Sequence, residues 1–174
     1  MMPIINKSTI DHHHTQIKEE LNSIIPINQW VVKPKRWCLT KAKTKYGMAD
    51  SNGVIHINHN FLGTNFQQLL QAVLRHEFAH LCVGLMQGHN RRFKQCEQLF
   101  NAQFNLIVKQ QSEEYSNQVS YKFLLQAELI NGQLINLKKA HRRHRNYLHY
   151  RMSRYKTYYY QQQAIKRFRY IVIE

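Results

Sequence analysis

Apolar residues recur at helical spacing over much of the chain, and this pattern predicts three helices. The longest runs from Phe66 to Met86, where apolar side chains repeat every three or four positions and form one broad stripe. A second helix is predicted from Asn90 to Phe104. A third, from Thr15 to Ile25, follows the run His12-His13-His14, which we expect to lie at the surface beside the helix cap. The stripe of the longest helix comprises Phe66, Leu69, Leu70, Val73, Leu74, Phe78, Leu81, Cys82 and Leu85.

Shorter segments with strand-like alternation lie between these helices. Trp30 to Tyr46 is predicted to form one or two strands, because Pro34 breaks the run and Trp37 and Leu39 alternate with polar residues. Val54 to Asn58 is predicted as a strand that follows the turn Asp50-Ser51-Asn52-Gly53. Helices and strands together predict an α+β domain over residues 1–110.

After a polar stretch at residues 110–118, the pattern changes to short β segments. Within residues 119–137, Tyr121-Lys122-Phe123 and Leu134-Ile135-Asn136-Leu137 are predicted as strands joined across the turn at Asn131-Gly132. From Tyr147 onward the pattern fits either helix or partial disorder. We therefore predict a second, small β-containing module over residues 119–174.

The central helix carries two histidines and a glutamate in the arrangement of a zinc site with its own general base. His76 and His80 are one helical turn apart, so both imidazoles lie on one face and can reach one ion. A catalytic zinc takes three protein ligands and keeps one position for water. Glu77 can accept a proton from that water and pass it to a leaving amine. HExxH also arises by chance, but ligand-type residues on a mostly buried helix are costly without a metal or partner. We therefore predict one Zn²⁺ ion.

Two residues compete for the place of the third ligand. His89 stands nine positions after His80, too far for the same helix and suited to a loop that folds back through Gly84 and Gly88. Glu97 is the rival, because it would place a carboxylate on the next helix. We favour His89 and expect Glu97 to be a solvated charge.

Four stretches carry a resemblance to a known family. They are, in chain order, Gly47-Met48-Ala49, Val54-Ile55-His56-Ile57-Asn58, His76-Glu77-Phe78-Ala79-His80 and His89-Asn90-Arg91-Arg92-Phe93. In their order and character they resemble the SprT-like metallopeptidase family, which includes the bacterial SprT proteins and the eukaryotic protease Spartan. The resemblance covers about residues 10–106 and includes the strand ending in Asn upstream of HExxH.

The resemblance implies a small zincin-like domain in which His76, His80 and His89 bind zinc and Glu77 is the catalytic base. Asn90 stands where the family usually has Gly, a replacement that is tolerable because Asn also adopts left-handed conformations. In bacterial SprT proteins the following region is a zinc ribbon with paired cysteines. This chain has no cysteine after Cys96, so we expect no second zinc.

Charge is concentrated towards the end of the chain. The 25 basic and 10 acidic residues give a net charge of +15, yet no acidic residue stands between Glu128 and Glu174. That interval holds eleven basic residues and seven of the ten tyrosines. Basic side chains bind phosphates and tyrosine rings stack on unpaired bases, which indicates DNA, and single-stranded DNA in particular, as a partner. The alternative is a solubilising or nonspecific polyanion-binding tail. The candidate contacts are Arg142, Arg143, Arg145, Tyr147, Arg151, Arg154 and Tyr158.

Cysteine use and hydropathy favour a cytoplasmic protein. Cys38, Cys82 and Cys96 are scattered and odd in number, which is typical of reduced thiols, and the latter two are expected in the core. No apolar run is long enough to span a bilayer, and the polar segment Asn6-Lys7-Ser8 lacks a signal-peptide pattern.

The sequence therefore predicts a zinc metallopeptidase that acts on DNA-associated proteins. The DNA–protein crosslink substrate is implied by the resemblance to Spartan. Two other classes stay open. One is a nucleic-acid-binding protein whose zinc site is structural or vestigial, and the other is a zinc hydrolase acting on a small molecule or nucleotide.

Overall fold

The structure is a computed structural model that describes residues 3–118 and 120–173, so the ends of the predicted ranges at residues 1, 119 and 174 lie outside it. Contacts divide the chain into two compact units, Met1–Gln118 and Val119–Glu174, here the N-terminal and C-terminal units. The fold is α+β, as predicted. The elements are α1 (Lys7–Ile24), β1 (Arg36–Thr40), β2 (Gly47–Ala49), β3 (Val54–Asn58), α2 (Gln67–Val83), α3 (Arg91–Leu99), α4 (Leu106–Gln118), β4 (Phe123–Leu129), β5 (Leu134–Ala140), α5 (Arg145–Leu148), β6 (Tyr159–Tyr160) and β7 (Gln163–Val172).

Helix α1 begins eight residues before the predicted start at Thr15. A capping box starts it: the Asn6 side chain accepts a hydrogen bond from the Thr9 amide at 2.9 Å, and the Thr9 hydroxyl accepts one from the Asn6 amide. The histidine run therefore lies inside the helix. His14 is buried against Phe78, with ring centroids 5.2 Å apart, and burial lowers its pKa to about 4. The prediction of a wholly exposed histidine run is wrong for His14.

The sheet of the N-terminal unit has the strand order β1-β3-β2. β1 pairs with β3 in parallel and β2 pairs with β3 antiparallel, which leaves β2 at an edge. The predicted strand Val54–Asn58 and its turn are confirmed. The stretch Trp30–Tyr46 holds a single strand, β1, and it begins after Pro34. Ile55 and Ile57 are fully buried, and the sheet packs on α2 through this face.

The helices after the sheet differ from the prediction mainly at their ends. α2 stops at Val83 rather than Met86, because Gly84 has φ +98° and ends it. α3 stops at Leu99 rather than Phe104. The polar stretch before residue 119, for which no helix was predicted, belongs to α4. Its Tyr115 is buried against Phe61, with ring centroids 4.9 Å apart, so a few apolar residues are enough to hold a polar helix in place.

The C-terminal unit is an antiparallel sheet in the order β5-β4-β7-β6. The strand predicted at Leu134 is confirmed within β5, and the turn at Asn131-Gly132 is confirmed, with Gly132 at φ +86°. The strand before the turn was predicted too early: β4 begins at Phe123, the last residue of the predicted Tyr121-Lys122-Phe123, and runs to Leu129. β7 was not predicted, since basic residues interrupt its alternation. Tyr150 and Ile165 join the buried residues of β4 to form the core, and the Tyr150 hydroxyl donates to the Ile165 carbonyl at 2.8 Å.

None of the helices in residues 3–118 and 120–173 combines the length and the apolar character that crossing a bilayer requires.

Candidate metal centre

Helix α2 presents two of the predicted ligands from one face. His76 and His80 lie one turn apart, with ring centroids 4.9 Å apart. The opposite face of α2 is buried among apolar side chains, so the helix cannot turn the histidines away without exposing that face. Both rings rest on Phe93, a fully buried residue of α3, with His80 stacked on it at 4.2 Å between centroids.

A short reversal after α2 carries the third histidine back to the first two. Gly84 and Gly88 have φ +98° and +55°, values that glycine adopts without the cost of a Cβ. His89 follows at once, and its Nε2 lies 3.2 Å from the Nε2 of His76. The predicted loop that folds back is therefore present. Asn90 is extended rather than left-handed, and its side chain caps α3 by accepting from the Phe93 amide at 3.1 Å.

The three histidines fit a zinc ion. One nitrogen from each of His76, His80 and His89 lies within 4.8 Å of the others. Zinc with imidazole nitrogens at about 2.0–2.1 Å in tetrahedral geometry places those nitrogens about 3.3 Å apart, close to the 3.2 Å between His76 and His89. In the described part of the chain this is the one cluster of His, Cys, Asp or Glu close enough to hold an ion.

Burial keeps two of these imidazoles in the form that binds metal. It is the main cause that lowers the pKa of His80 to about 4 and places the pKa of His76 below its usual value. Both rings are therefore neutral at pH 7, and a neutral ring has a nitrogen lone pair to donate.

Glu97 lies behind the cluster, and the prediction that it is a solvated charge is wrong. Its Oε1 is 2.9 Å from the Nδ1 of His76, and three quarters of its side chain is shielded from solvent. A carboxylate in this position accepts a hydrogen bond from Nδ1–H of His76, which leaves Nε2 of that ring free to bind the metal. The spacing from His80 to Glu97 alone could not distinguish this contact from direct ligation, because the register of α3 against α2 decides it.

Glu77 is the buried acid of the site. Its side chain is 7 % exposed, and its Oε2 accepts a hydrogen bond from the Ala49 amide at 2.9 Å. Burial raises the pKa of Glu77 to about 7, a value at which a carboxyl group exchanges protons readily near neutral pH. Sequence analysis missed the Ala49 contact, although the resemblance had picked out Gly47-Met48-Ala49.

Gly47 lets β2 approach α2 closely enough for that hydrogen bond. A Cβ at this position would lie 2.8 Å from Cγ1 of Val73 and 3.2 Å from Cγ of Glu77. The first distance is too short for a real Cβ atom and the second is tight, so a side chain at this position would force the strand and the helix apart. The glycine thus permits the hydrogen bond between Ala49 and Glu77 through close approach of the backbone.

These groups face one cavity of about 750 Å³. Its walls are the cluster side of α2 and the segment from Thr44 to Ala49, which includes the edge strand β2. Gln103 and Phe104 contribute from beyond α3. The cavity has room for several residues of an extended chain, and the histidines and Glu77 lie side by side along it.

The predicted nucleic-acid contacts lie in the C-terminal unit. Arg142, Arg143, Arg145, Arg151 and Arg154 are exposed. The two tyrosines are less available: Tyr147 is half-buried under Lys138, and Tyr158 packs against Tyr150. The better stacking surfaces are Tyr155 and Tyr159, which are 82 % and 66 % exposed and which the prediction passed over. Sequence alone could not distinguish these exposed tyrosines from the nearby core tyrosine Tyr150.

A comparison with models of known protein families gives a match over the N-terminal unit. The family model described as "YgjP-like, metallopeptidase domain" matches residues 3–104, well over half of the chain. That range contains the three histidines, Glu77 and Glu97. A comparison with curated proteins found no match. A metallopeptidase family implies a bound metal, typically zinc. The chain belongs to the YgjP-like metallopeptidase domain family, of the SprT-like type.

Proposed function

We propose that this chain is a zinc-dependent peptidase that cleaves DNA-associated proteins. The observation that carries the peptidase part is the position of buried Glu77 beside three converging imidazoles in one cavity. A site that only held the fold together would need no buried acid next to its ligands. The membership of a metallopeptidase family supports the same reaction class.

His76, His80 and His89 would hold the zinc ion, which would supply Lewis-acid polarisation of the scissile carbonyl and make water more acidic. Glu77 takes the proton of the attacking water and returns it to the leaving nitrogen. Its Oε2 is held by Ala49, so within the described residues Oε1 is the oxygen that remains for this transfer. A carboxyl group whose pKa lies near 7 can accept and release the proton with little driving force in either direction.

The edge strand β2 offers a place for an extended substrate. Residues on either side of it bond to β3: the Tyr46 carbonyl accepts from Asn58, and the Asp50 amide donates to Val54. Because antiparallel pairing alternates, the backbone groups of Gly47 and Ala49 point to the free edge. The Ala49 amide donates a hydrogen bond to Glu77. The carbonyls of Gly47 and Ala49 can accept hydrogen bonds from a peptide added as a further strand. This geometry favours a polypeptide over a small molecule.

The DNA part of the proposal rests on charge in the C-terminal unit and on the resemblance to Spartan. Eleven basic residues fall between Glu128 and Glu174, and Lys166, Arg167 and Arg169 form ion pairs with Glu128. Five arginines of this interval are exposed and can bind phosphates: Arg142, Arg143, Arg145, Arg151 and Arg154. Nucleic acid bound by one unit raises the local concentration of any protein on that strand for the peptidase unit of the same chain.

The test is proteolysis of a basic DNA-binding protein by the purified, zinc-loaded chain, with and without single-stranded DNA. We expect cleavage, and we expect DNA to accelerate it. Cleavage that DNA does not change would remove the DNA part and leave the peptidase. A chain that binds DNA and zinc but cleaves nothing would contradict the peptidase part.

The exposed basic surface also favours a second candidate, a nucleic-acid-binding protein with a structural zinc site. In that case, removal of zinc would unfold the N-terminal unit, and substitution of Glu77 would have no effect on the chain's function. The third class, a nucleotide or small-molecule zinc hydrolase, would show turnover of mononucleotides in the same assay without any cleavage of protein.

A further inference from the structure

A cysteine, a histidine and an aspartate form a hydrogen-bonded chain outside the metal centre. Sγ of Cys38 lies 3.1 Å from Nδ1 of His56, and Nε2 of the same ring lies 3.0 Å from Oδ2 of Asp50. The three side chains come from β1, from β3 and from the turn after β2. Neither the metal cluster nor the proposed peptidase mechanism uses any of them.

The fold places these groups on the sheet face turned away from α2. Cys38 is directly opposite His56 in the parallel pairing of β1 with β3. Ile55 and Ile57, on either side of His56, are fully buried, and side chains alternate between faces along a strand. His56 is about a quarter exposed, and Cys38 is partly exposed. Solvent and small solutes can therefore reach the thiol.

Backbone hydrogen bonds hold the Asp50 carboxylate in place, independently of its contact with His56. Its Oδ1 accepts from the amides of Asn52 and Val54 at 2.9 and 3.0 Å, which holds the carboxylate at the turn and leaves Oδ2 for His56. The hydrogen bond from His56, together with that from Val54, holds the pKa of Asp50 below its usual value, so the group is ionised at neutral pH. An ionised carboxylate at Nε2 selects the tautomer with a proton there.

This tautomer leaves a lone pair on Nδ1, which points at the thiol. The imidazole can then take the proton of Cys38, and Asp50 stabilises the imidazolium that forms. In this arrangement Cys38 is the nucleophile, His56 is the base, and Asp50 is the acid that orients the base. Cys38 does not line the cavity of the metal centre, and it is only partly exposed, which favours a small reaction partner.

We propose that Cys38 is a nucleophilic thiol, activated by His56 and Asp50, that reacts with small hydroperoxides. The sulfur attacks the outer oxygen of the peroxide, an S–O bond forms and the O–O bond breaks. The sulfur is oxidised by two electrons to a sulfenic acid, and the peroxide is reduced to water or an alcohol. The thiol proton, taken up by His56, passes to the departing oxygen.

The chain contains its own comparison thiols. Cys82 and Cys96 are buried on α2 and α3, where their thiols hydrogen-bond to each other. They should react slowly in the folded protein and at ordinary rates once it is unfolded. Cys38 should show the opposite order, because unfolding separates it from His56.

The experiment treats the full-length chain with hydrogen peroxide at neutral pH in the presence of dimedone, which traps sulfenic acids, and follows each cysteine by mass spectrometry. An ordinary thiol is only a few per cent ionised under these conditions, so we expect native Cys38 to be labelled ~10-fold faster than Cys38 in the urea-unfolded chain. A native rate equal to or below the unfolded rate would overturn the proposal.

Two variants test the assigned roles. His56→Asn should bring the Cys38 labelling rate down to that of the unfolded chain, and Asp50→Asn should lower it in part. The exposed His59 provides the matched control, since His59→Asn should leave the rate unchanged. Circular dichroism establishes that each variant is folded, and if His56→Asn does not fold, the native-to-unfolded ratio of the unsubstituted chain decides alone. An unchanged rate in folded His56→Asn would overturn the activation by His56.

Discussion

Oε1 of Glu97 lies 2.9 Å from Nδ1 of His76, on the side of the ring opposite the nitrogen that faces His89. The carboxylate thereby fixes the tautomer and the orientation of one ligand while staying out of the cluster itself. A largely shielded acid in α3 thus acts on a histidine in α2. The packing of these two helices is therefore part of the metal site.

The first prediction separates the two candidates for third ligand. His89→Ala removes a ligand and should abolish stoichiometric zinc binding. Glu97→Gln keeps a hydrogen-bond acceptor for His76 but loses its charge, so we expect zinc affinity to fall ~10–100-fold. Competition with a zinc chelator measures both, and Glu113→Gln on the exposed face of α4 is the control. Stoichiometric zinc in His89→Ala, with none in Glu97→Gln, would make Glu97 the ligand.

The second prediction concerns stability and pH in the metal-free chain. The folded-state pKa of Glu77 is about 7 and its ordinary value is 4.5, so between these values the folded state keeps a proton that the unfolded state releases. This contribution is complete below about pH 4.5 and is lost as the pH rises through about 7. At about 1.4 kcal/mol per pKa unit, it amounts to about 3 kcal/mol.

Urea unfolding of the metal-free protein and of Glu77→Gln, at about pH 5 and pH 8, measures this effect. Glutamine has no proton to lose, so the free energy of unfolding of Glu77→Gln relative to the unsubstituted chain should rise by ~2–3 kcal/mol between the two pH values. Taking the difference cancels the opposite trends of His14 and His80, which are shared by both proteins. An equal difference at both pH values would contradict the burial argument.

The third prediction tests the close approach of β2 to α2. Gly47→Ala places a methyl group 2.8 Å from Cγ1 of Val73, so we expect a loss of ~1–3 kcal/mol in the free energy of unfolding and lower peptidase activity. Val73→Ala removes the conflicting atom. The cost of Gly47→Ala should therefore be smaller in the Val73→Ala background, as a double-mutant cycle on denaturation free energies measures. Additive costs would show that the contact is not responsible.

Much of this site was predictable because HExxH fixes its own geometry. A helix places residues four positions apart on one face whatever surrounds it, so His76 and His80 followed from spacing alone. Gly84 and Gly88 indicated the reversal that returns His89. Glu97 and the Ala49 amide did not follow, because both depend on how α3 and β2 pack against α2, and one sequence contains no direct record of that register.

The fold, like the site, was predictable where local sequence patterns determine the structure. The strand β3 and the β4–β5 turn were found because their apolar residues alternate or flank an Asn-Gly pair. The start of α1 was missed because it rests on one capping interaction between Asn6 and Thr9. α4 and β7 were missed because few apolar residues hold them, and tertiary contacts override their polar composition.

The fourth prediction concerns DNA binding by the C-terminal unit. The guanidinium of Arg154 lies 4.6 Å from the ring centroid of Tyr155, and both side chains are exposed. Tyr155→Ala should weaken binding to single-stranded DNA by ~1–3 kcal/mol with little change in its salt dependence. Arg154→Ala should weaken binding and reduce the slope of log affinity against log salt by about 0.7. Fluorescence anisotropy at several salt concentrations measures both.

Substitution of the buried Tyr150 should have a different effect from substitution of the exposed Tyr155. Substitution of Tyr150 should lower the stability of the C-terminal unit, because the Tyr150 hydroxyl and ring belong to the core. If Tyr155→Ala and Arg154→Ala leave DNA binding and its salt dependence unchanged, the exposed basic surface is not the site of nucleic-acid contact.

The central claim is that Glu77 is the base of a zinc peptidase, and the most direct test is Glu77→Gln assayed for bound zinc and for hydrolysis in the same preparation. Loss of the proton acceptor should lower the rate ~10²–10⁴-fold. The three histidines are unchanged, so zinc should remain at one ion per chain. Retained zinc with lost hydrolysis is the predicted result. Undiminished proteolysis by the zinc-loaded variant would contradict the account.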